Sequence, residues 1–447
     1  MAKKKSRAAK ISVLPKEKQP FEVPDNWFWT DIASINGYSG TAVDPMKSPE
    51  TTYELYSVPS SANDFPEIIS GSEIGSSKQS VIKNDVLLCK INPRINRVWK
   101  VSQHTENELL ASSEWIVIRN QILNSDYMMF CFRTQFFREY MLSNVSGVGG
   151  SLMRAQPKFV KNYPIPVAPV AEQQRIVDRI ESIFAKLDEA KEKAQAVVDG
   201  FELRKSAILH KAFTGELTEK WREEHGVTLD SWEKETSTKL FSYVTSGSRG
   251  WAQYYSDSGS VFIRMGNLDH GTVELDMEDI QYVNLPSKAE GQRSKLQKND
   301  ILISITADIG MIGLVRNADQ DMYINQHIAL ARPTEENNAE FIAWYLVSDV
   351  GLKQMQSKQR GATKIGLGLD DIRNLKLLMP QVNEQAEIVH ILNGLLAKET
   401  AAKEAAESVL DQIDTMKKAV LARAFRGELG TNDPTEASAV ELLKSML

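Results

Sequence analysis

Apolar residues follow a four-three alternation twice along this chain, and the second run is the first displaced by a constant offset. In the first run Ile176, Ile180, Ile183, Leu187, Ala190, Ala194, Val197, Phe201 and Ile208 take the inward positions, with one polar interruption at Arg204. In the second, Ile388, Leu392, Leu395, Ala402, Ala406, Val409, Ile413, Met416 and Val420 take them, interrupted at Glu399. Such spacing lines one face of a helix and is that of a coiled-coil seam. It predicts two helices of roughly 40 residues, each about 60 Å long at 1.5 Å per residue. Flanking markers keep the same offset. Glu172-Gln173 returns as Glu384-Gln385, and Phe213-Thr214-Gly215-Glu216-Leu217 returns as Phe425-Arg426-Gly427-Glu428-Leu429. An insertion would turn the stripe away from its partner, so an unbroken offset is what a rigid helix demands. Two copies about a local two-fold would lie antiparallel, with Ala190/Ala194 and Ala402/Ala406 letting the backbones approach near mid-helix. Packing of each helix on its own globular neighbour is the other arrangement the pattern allows.

Upstream of each helix lies a globular segment. The two open alike, at Asp25-Asn26-Trp27 and Asp230-Ser231-Trp232. Inside them Lys83-Asn84-Asp85-Val86-Leu87-Leu88 parallels Lys298-Asn299-Asp300-Ile301-Leu302-Ile303, each read as a turn feeding a buried strand. Trp115-Ile116-Val117-Ile118 and His327-Ile328-Ala329-Leu330 are predicted as further strands. A helix follows each, carrying Tyr127, Phe130, Phe136 and Phe137 in one copy and Phe341, Trp344, Tyr345 and Val347 in the other. Pro164, Pro166, Pro169 and Pro380 mark entry into the long helices. Here the offset drifts, so loops and most side chains differ. Fixed helices with divergent heads are expected when the heads read different things. The resulting division is a basic tail (1–20), a first head (21–168), a first long helix (169–217), a linker (218–228), a second head (229–380), a second long helix (381–429) and a C-terminal tail with a short helix (430–447).

Composition narrows the picture only a little. The 447 residues allow about three domains, and 42% hydrophobic with 25% charged content is ordinary for a globular protein. Two cysteines, Cys89 and Cys131, offer neither a disulfide framework nor a metal pattern and fit a reducing cytoplasm. No apolar run reaches the roughly 20 residues a bilayer crossing needs. Lys3, Lys4, Lys5, Arg7 and Lys10 have no apolar segment behind them and read as a tail, not a secretory signal. The net charge of −6 argues mildly against a general nucleic-acid coat, although distribution matters more than the sum.

Pro169-Val170-Ala171-Glu172-Gln173 with Ile176-Val177, Gly215-Glu216-Leu217, and their second copies resemble the specificity (S) subunit of type I restriction–modification systems. The resemblance covers essentially the whole chain. It implies an α+β fold in which two mixed α/β target-recognition domains are separated by two long helices forming an antiparallel coiled coil, an internal pseudo-two-fold repeat. It implies a non-catalytic, cytoplasmic DNA-recognition subunit for a bipartite target, with no membrane partner. Its partners would be two methyltransferase subunits and up to two restriction/translocase subunits, which would carry the S-adenosylmethionine, ATP and Mg2+ chemistry, leaving no cofactor in this chain. In the family the chain termini pack near each other.

Enzyme signatures are missing from the sequence. There is no Gly-x-x-x-x-Gly-Lys loop. Asn92-Pro93-Arg94-Ile95 only superficially resembles an amino-methyltransferase Asn-Pro-Pro-aromatic motif. The six histidines make no His-x-x-x-His pair. DNA contact would come from local basic patches. In the first head these are Lys90, Arg94, Arg97 and Lys100, then Arg154, Lys158 and Lys161 after a glycine-rich stretch. In the second they are Arg249, Arg264 with Asn267, and the acid-free run Lys358, Arg360, Thr363 and Lys364. Arginine can grip guanine and Asn or Gln adenine with two hydrogen bonds, while lysine mostly holds phosphate. Glu172, Gln173, Phe213, Leu217, Glu384, Gln385, Phe425 and Leu429 admit two readings: matched docking sites for two methyltransferases, or ordinary helix starts and core. The rival functions are a repeat-built protein adaptor without sequence-specific DNA binding, and a self-contained modification enzyme.

Overall fold

A computed structural model describes residues 12–120, 123–147, 153–286, 292–359 and 366–444. The chain divides into two compact units, Met1–Ala194 with Ser408–Leu447, and Gln195–Glu407. Each unit therefore holds one head, the start of one long helix and the end of the other. The fold class is α+β, with strands and short helices in the heads and two long helices, Val170–Asp199 and Val382–Ala424.

In the first unit the central strand Val86–Cys89 is wholly buried and lies between Val98–Lys100 and Trp115–Ile118, antiparallel to both. A five-stranded sheet runs in the order Ala42–Val43, Lys78–Ser80, Glu108–Ala111, Thr52–Tyr56, Glu67–Ser70. Phe28–Asp31 pairs antiparallel with Pro164–Val167, which ties the head's first strand to its last. In the second unit Ile301–Ser304, again wholly buried, lies between Ile312–Leu314 and Ile328–Pro333. Glu233–Thr236 pairs with Lys376–Met379 as the head's closing ladder.

The repeated Lys-Asn-Asp run has one physical meaning in both heads. Asn84 and Asn299 take left-handed φ of 72° and 70°, a conformation asparagine tolerates better than most residues. The next residue, Asp85 or Asp300, is buried and its carboxylate accepts the backbone N–H three residues back, from Ile82 or Gln297. The same carboxylate grips an arginine with two hydrogen bonds, Arg119 at 2.9 and 2.7 Å and Arg332 at 2.7 and 2.8 Å. Each guanidinium lies over a tyrosine, Tyr38 or Tyr243. Pairing each buried carboxylate with a planar fork offsets its desolvation.

The predicted aromatic helix is a pair of helices in each head. Ser125–Phe132 is followed by Gln135–Ser143, and Ala339–Val347 by Asp349–Ser357. Thr134 and Ser348 make the breaks, each leaving helical geometry to cap the next helix with its hydroxyl.

Within each unit the two long-helix segments run antiparallel, because partner numbers fall on one as they rise on the other. In the first unit Glu172 reaches Asn432 and Asp188 pairs with Lys417. In the second, Arg204 pairs with Glu399 at 2.7 Å and Thr218 reaches Glu384. The two polar interruptions of the heptad pattern thus face each other. Glycine ends one segment and begins the next: the first helix passes through Gly200 into Phe201–Phe213. Arg204 also donates to the Val197 carbonyl at 2.9 Å, satisfying a backbone acceptor beside that junction.

The second seam departs from strict alternation. Ala402 is exposed, as are Val409 (42%) and Met416 (45%), all expected inside. Lys403, Leu410 and Lys417 are the half-buried positions, and Ala406 and Ile413 are buried. The stripe takes two four-residue steps in succession, Leu395 to Glu399 to Lys403. That keeps pace with the ~3.6 residues per turn of a straight helix instead of the ~3.5 of a supercoil.

Gly215 and Gly427 explain the recurring Gly-Glu-Leu. Both follow a helix end with left-handed φ (86° and 74°). A Cβ on Gly215 would stand 2.6 Å from Leu229, and one on Gly427 2.4 Å from Pro24. In each unit one apolar core takes in such a helix end. Phe425, fully buried, joins Tyr127, Phe137, Ile176 and Ile180, while Phe213 joins Phe341, Tyr345, Ile388 and Leu392. The end of each long helix is thereby locked into the head that precedes the other long helix.

Candidate nucleic-acid interface

In each head, loops converge at the end of the central strand. After Val86–Cys89 the chain runs Lys90 to Asn96, turning through left-handed Asn92 (φ 51°) and Asn96 (φ 52°). Ile91 pairs across an isolated bridge with Arg154, the Ala155 N–H donates to Lys90 O at 2.9 Å, and Lys90 N–H donates to Glu114 O at 2.8 Å. Lys90–Arg97 and Arg154–Lys161, far apart in sequence, therefore meet.

The second head repeats the geometry. Thr306 bridges Gly366, Ala307 is left-handed (φ 62°), and Ile305 N–H donates to His327 O at 2.9 Å. Ser248 bridges Asn325, bringing the Ser246–Gly250 turn to the same end. Thr306 Oγ1 lies 2.7 Å from His327 Nδ1, and Gln326 Nε2 lies 3.1 Å from His327 Nε2. The sequence offered none of Thr306, Gln326 and His327 as a site residue, His327 entering only as the start of a predicted strand. The sequence signal was the equivalence of the two central strands, which makes the loop following each one a counterpart of Lys90–Asn96.

The flagged side chains fall into three groups. Lys158, Lys161 and Arg249 are exposed, and Lys90, Arg97 and Lys358 are half-exposed; Arg94 is exposed at the turn after Asn92. Lys158 lies 4.8 Å above the Phe159 ring. Three cations have carboxylate partners within the chain: Lys100 with Asp126, Arg154 with Glu114 at 3.2 Å, and Arg264 with Asp279 at 2.9 Å. Those acids come from other positions in the sequence, at least 15 residues away, and arrive through folding. Asn267 is buried, accepting from Arg264 N–H and donating to Asp276 O and Asp279 O, so its amide shapes a loop and does not face outward. Arg360, Thr363 and Lys364 lie outside the described residues.

The eight residues with two sequence readings have internal partners in the structure. Glu172, with no exposed surface, accepts from Trp27 Nε1 at 2.7 Å, Asn432 Nδ2 at 2.8 Å and Thr431 Oγ1 at 3.3 Å. Glu384, equally buried, accepts from Trp232 Nε1 at 3.0 Å and from Thr218 Oγ1 and Arg222 at 2.7 Å each. Gln173 donates to Ala168 O and accepts from Asn124 N–H; Gln385 donates to Pro380 O and accepts from Asn338 N–H. Phe213 and Phe425 are core, and Leu217 and Leu429 pack half-buried against it. The helix-start and core reading accounts for all eight. Next to these nodes Val170 and Val382 form an exposed matched pair of large apolar side chains, each 51% exposed and related by the offset of the repeat.

In the first unit the two ends of the described chain meet. Asn26 Nδ2 donates to Asp433 O and the Ala439 N–H donates to Asn26 O. Arg175 forks onto Glu436 at 2.8 Å twice, which holds the Glu436 carboxyl below its usual range. The tail helix is Ala439–Lys444. Among the described residues no group of three His, Cys, Asp or Glu side chains is placed to hold a metal, and no helix is long and apolar enough to cross a membrane.

Comparison with known proteins agrees with this architecture. The chain is 24% identical over 343 residues to the type I restriction enzyme EcoBI specificity subunit of Escherichia coli, covering 72% of this chain and 71% of that protein. It is 26% identical over 321 residues to the EcoKI specificity subunit of Escherichia coli (strain K12), covering 69% and 66%. The crystal structure of the HsdS subunit from Thermoanaerobacter tengcongensis superimposes with a TM-score of 0.70 at 20% identity, over 92% of this chain and 99% of that one. The family described as "Type I restriction modification DNA specificity domain" matches residues 30–198 and 255–410, so the chain belongs to that family of type I specificity subunits.

Proposed function

We propose that this chain reads a bipartite DNA target, one half with each head, for a type I restriction–modification complex. The observation that carries this is the duplication itself. Two heads with equivalent central strands, each ending in a loop cluster beside that strand, carry different side chains there: Lys90, Arg97 and Arg154 in one, Arg249, Gln326 and Lys358 in the other. A shared scaffold with unlike tips is what reading two unlike half-sites requires. The tips supply cations for phosphate and forked or amide groups for base edges.

The chain itself performs no covalent step. Two methyltransferase subunits would dock at the matched exposed faces around Val170 and Val382 and modify one adenine per half-site with S-adenosylmethionine. Up to two restriction/translocase subunits would add ATP- and Mg2+-dependent cleavage, in the cytoplasm. The test is selection of duplexes from a randomised pool by the chain assembled with its methyltransferase. Two defined blocks separated by an unread gap of fixed length support the reading. A pool that stays random, or binding unaffected by salt, refutes it and favours a protein adaptor.

A further inference from the structure

In the first unit a cleft of about 340 Å³ lies between the Asn92–Asn96 turn, the break between the two short helices, and the end of the second long helix. Ile95, Arg97, Arg133, Arg138 and Lys418 are among its lining residues, and no acidic side chain lines it. None of the four cations makes an ion pair with a described residue. Neutral acceptors hold Arg133, Arg138 and the Asn92–Asn96 turn instead. Arg133 donates to Val98 O at 3.0 Å, Arg138 donates to Arg94 O, and Asn96 Nδ2 ties the turn to Phe132 O at 3.3 Å. Carbonyls fix a guanidinium without cancelling its charge. Asp64 and Asp126 act on Arg133 from outside the cleft, and Asp126 is already taken by Lys100.

Two further facts show that the cluster is incomplete as it stands. The Arg138 Nε–H is buried and has no hydrogen-bond partner, which costs free energy unless something accepts from it. The second unit also folds without any of these charges. Arg97 O and Met311 O accept the same strand hydrogen bond, from Cys89 N and Ser304 N. Arg138 N–H and Leu352 N–H both bond back to the capping residue, Thr134 or Ser348. Arg133 and Val347 each precede that cap, and Lys418 takes in the second long helix the repeat position that Ser206 takes in the first. At all four positions the other unit has a neutral side chain, so the scaffold does not need the cations.

We infer that this cleft receives a backbone phosphate of the target DNA beside the half-site read by the first head. The inference rests on the DNA-reading function proposed above. A tetrahedral anion would supply acceptors to Arg138 Nε, the free donors of Arg97 and Arg133, and the Lys418 ammonium. A residue of the long helix would then grip DNA together with its head, and only in the first half. Phosphate contacts of this kind position the duplex and carry no sequence information.

The experiment uses the chain assembled with its methyltransferase and a duplex bearing the selected motif. Arg138→Gln and Lys418→Gln are compared with wild type, together with duplexes carrying a neutral methylphosphonate at each linkage in turn. Lys418 is exposed, so its variant keeps the fold even where Arg138→Gln loosens it. Each substitution should weaken cognate and random duplexes alike, about tenfold at physiological salt, and lower the log–log salt slope by about 0.9. One linkage should lose affinity when neutralised in wild type but not further in Lys418→Gln. Unchanged affinity and slope, with wild type still selective, would overturn the phosphate site while leaving the DNA reading intact. A changed motif would overturn it too, by making these residues base readers. A wild-type complex with no selective duplex binding would sink the functional reading first and this site with it.

Discussion

Glu384→Gln should damage the protein far more than Glu172→Gln, although the two residues occupy the same repeat position. Both carboxylates are fully buried and both accept from a tryptophan indole. Their other donors differ in charge. Around Glu172 the rest are the neutral Asn432 and Thr431, and a glutamine oxygen can keep accepting from Trp27. Glu384 is the counter-charge of Arg222, which is itself buried, lies 2.7 Å away, and also donates to Gly215 O and Thr218 Oγ1. At an effective dielectric of about 20 the attraction across 2.7 Å is about 6 kcal/mol, much of it spent on desolvating both ions. Removing one partner strands the other, and such losses run to about 3–5 kcal/mol. Losing the charge at Glu172 removes charge-assisted hydrogen bonds only, at about 1–2 kcal/mol. Hydrogen exchange read by mass spectrometry assigns each loss to its unit, with Glu384→Gln opening residues 195–407. Adding Arg222→Met to Glu384→Gln should recover part of the loss, because the stranded cation is gone. Equal costs for the two glutamines, or no recovery in the double variant, would refute the assignment of the Arg222–Glu384 pair as the core of that node.

Other expectations follow from the same geometry. Met416→Lys should change stability by less than about 0.5 kcal/mol in thermal unfolding, whereas Ile413→Lys, which buries a charge in the seam, should cost several-fold more. Arg204→Glu should destabilise by about 1 kcal/mol, and Arg204→Glu with Glu399→Arg should restore most of it, since the pair is partly exposed. Val382→Glu should weaken binding of one methyltransferase and leave the other, seen as a stepwise titration; unchanged assembly would remove the docking face. Glu340 is desolvated, yet hydrogen bonds from Arg316 and Asn393 hold its carboxyl below the usual range. A lowered folded value stabilises above the ordinary glutamate range and is lost as pH falls through the folded value, so Glu340→Gln should lessen the acid sensitivity of the second unit below about pH 4.

Much of the fold was legible because the repeat acts as an internal control. Markers that recur in both copies turn out to touch one another: Trp27 with Glu172, Trp232 with Glu384, and the two polar seam residues Arg204 and Glu399. The strands after the Asn-Asp turns were readable because buried central strands are continuous apolar runs. The drift of the second seam was not, because the heptad template is blind to a single extra residue that a straight helix absorbs. The site was less legible for a different reason. Lys100, Arg154 and Arg264 were read as local basic patches, but Asp126, Glu114 and Asp279 reach them through folding. Conversely, Arg133, Arg138 and Lys418 are scattered in sequence and become a cluster only when the helix end meets the turn.

The central claim is that this chain chooses the DNA sequence on which a methyltransferase acts. The direct measurement is a genome-wide map of N6-methyladenine in a methylation-free host expressing the chain with its methyltransferase, beside a control lacking the chain. A split motif, methylated once in each half and only when the chain is present, is the predicted result. An intact complex with an active methyltransferase that leaves no such motif would contradict the account.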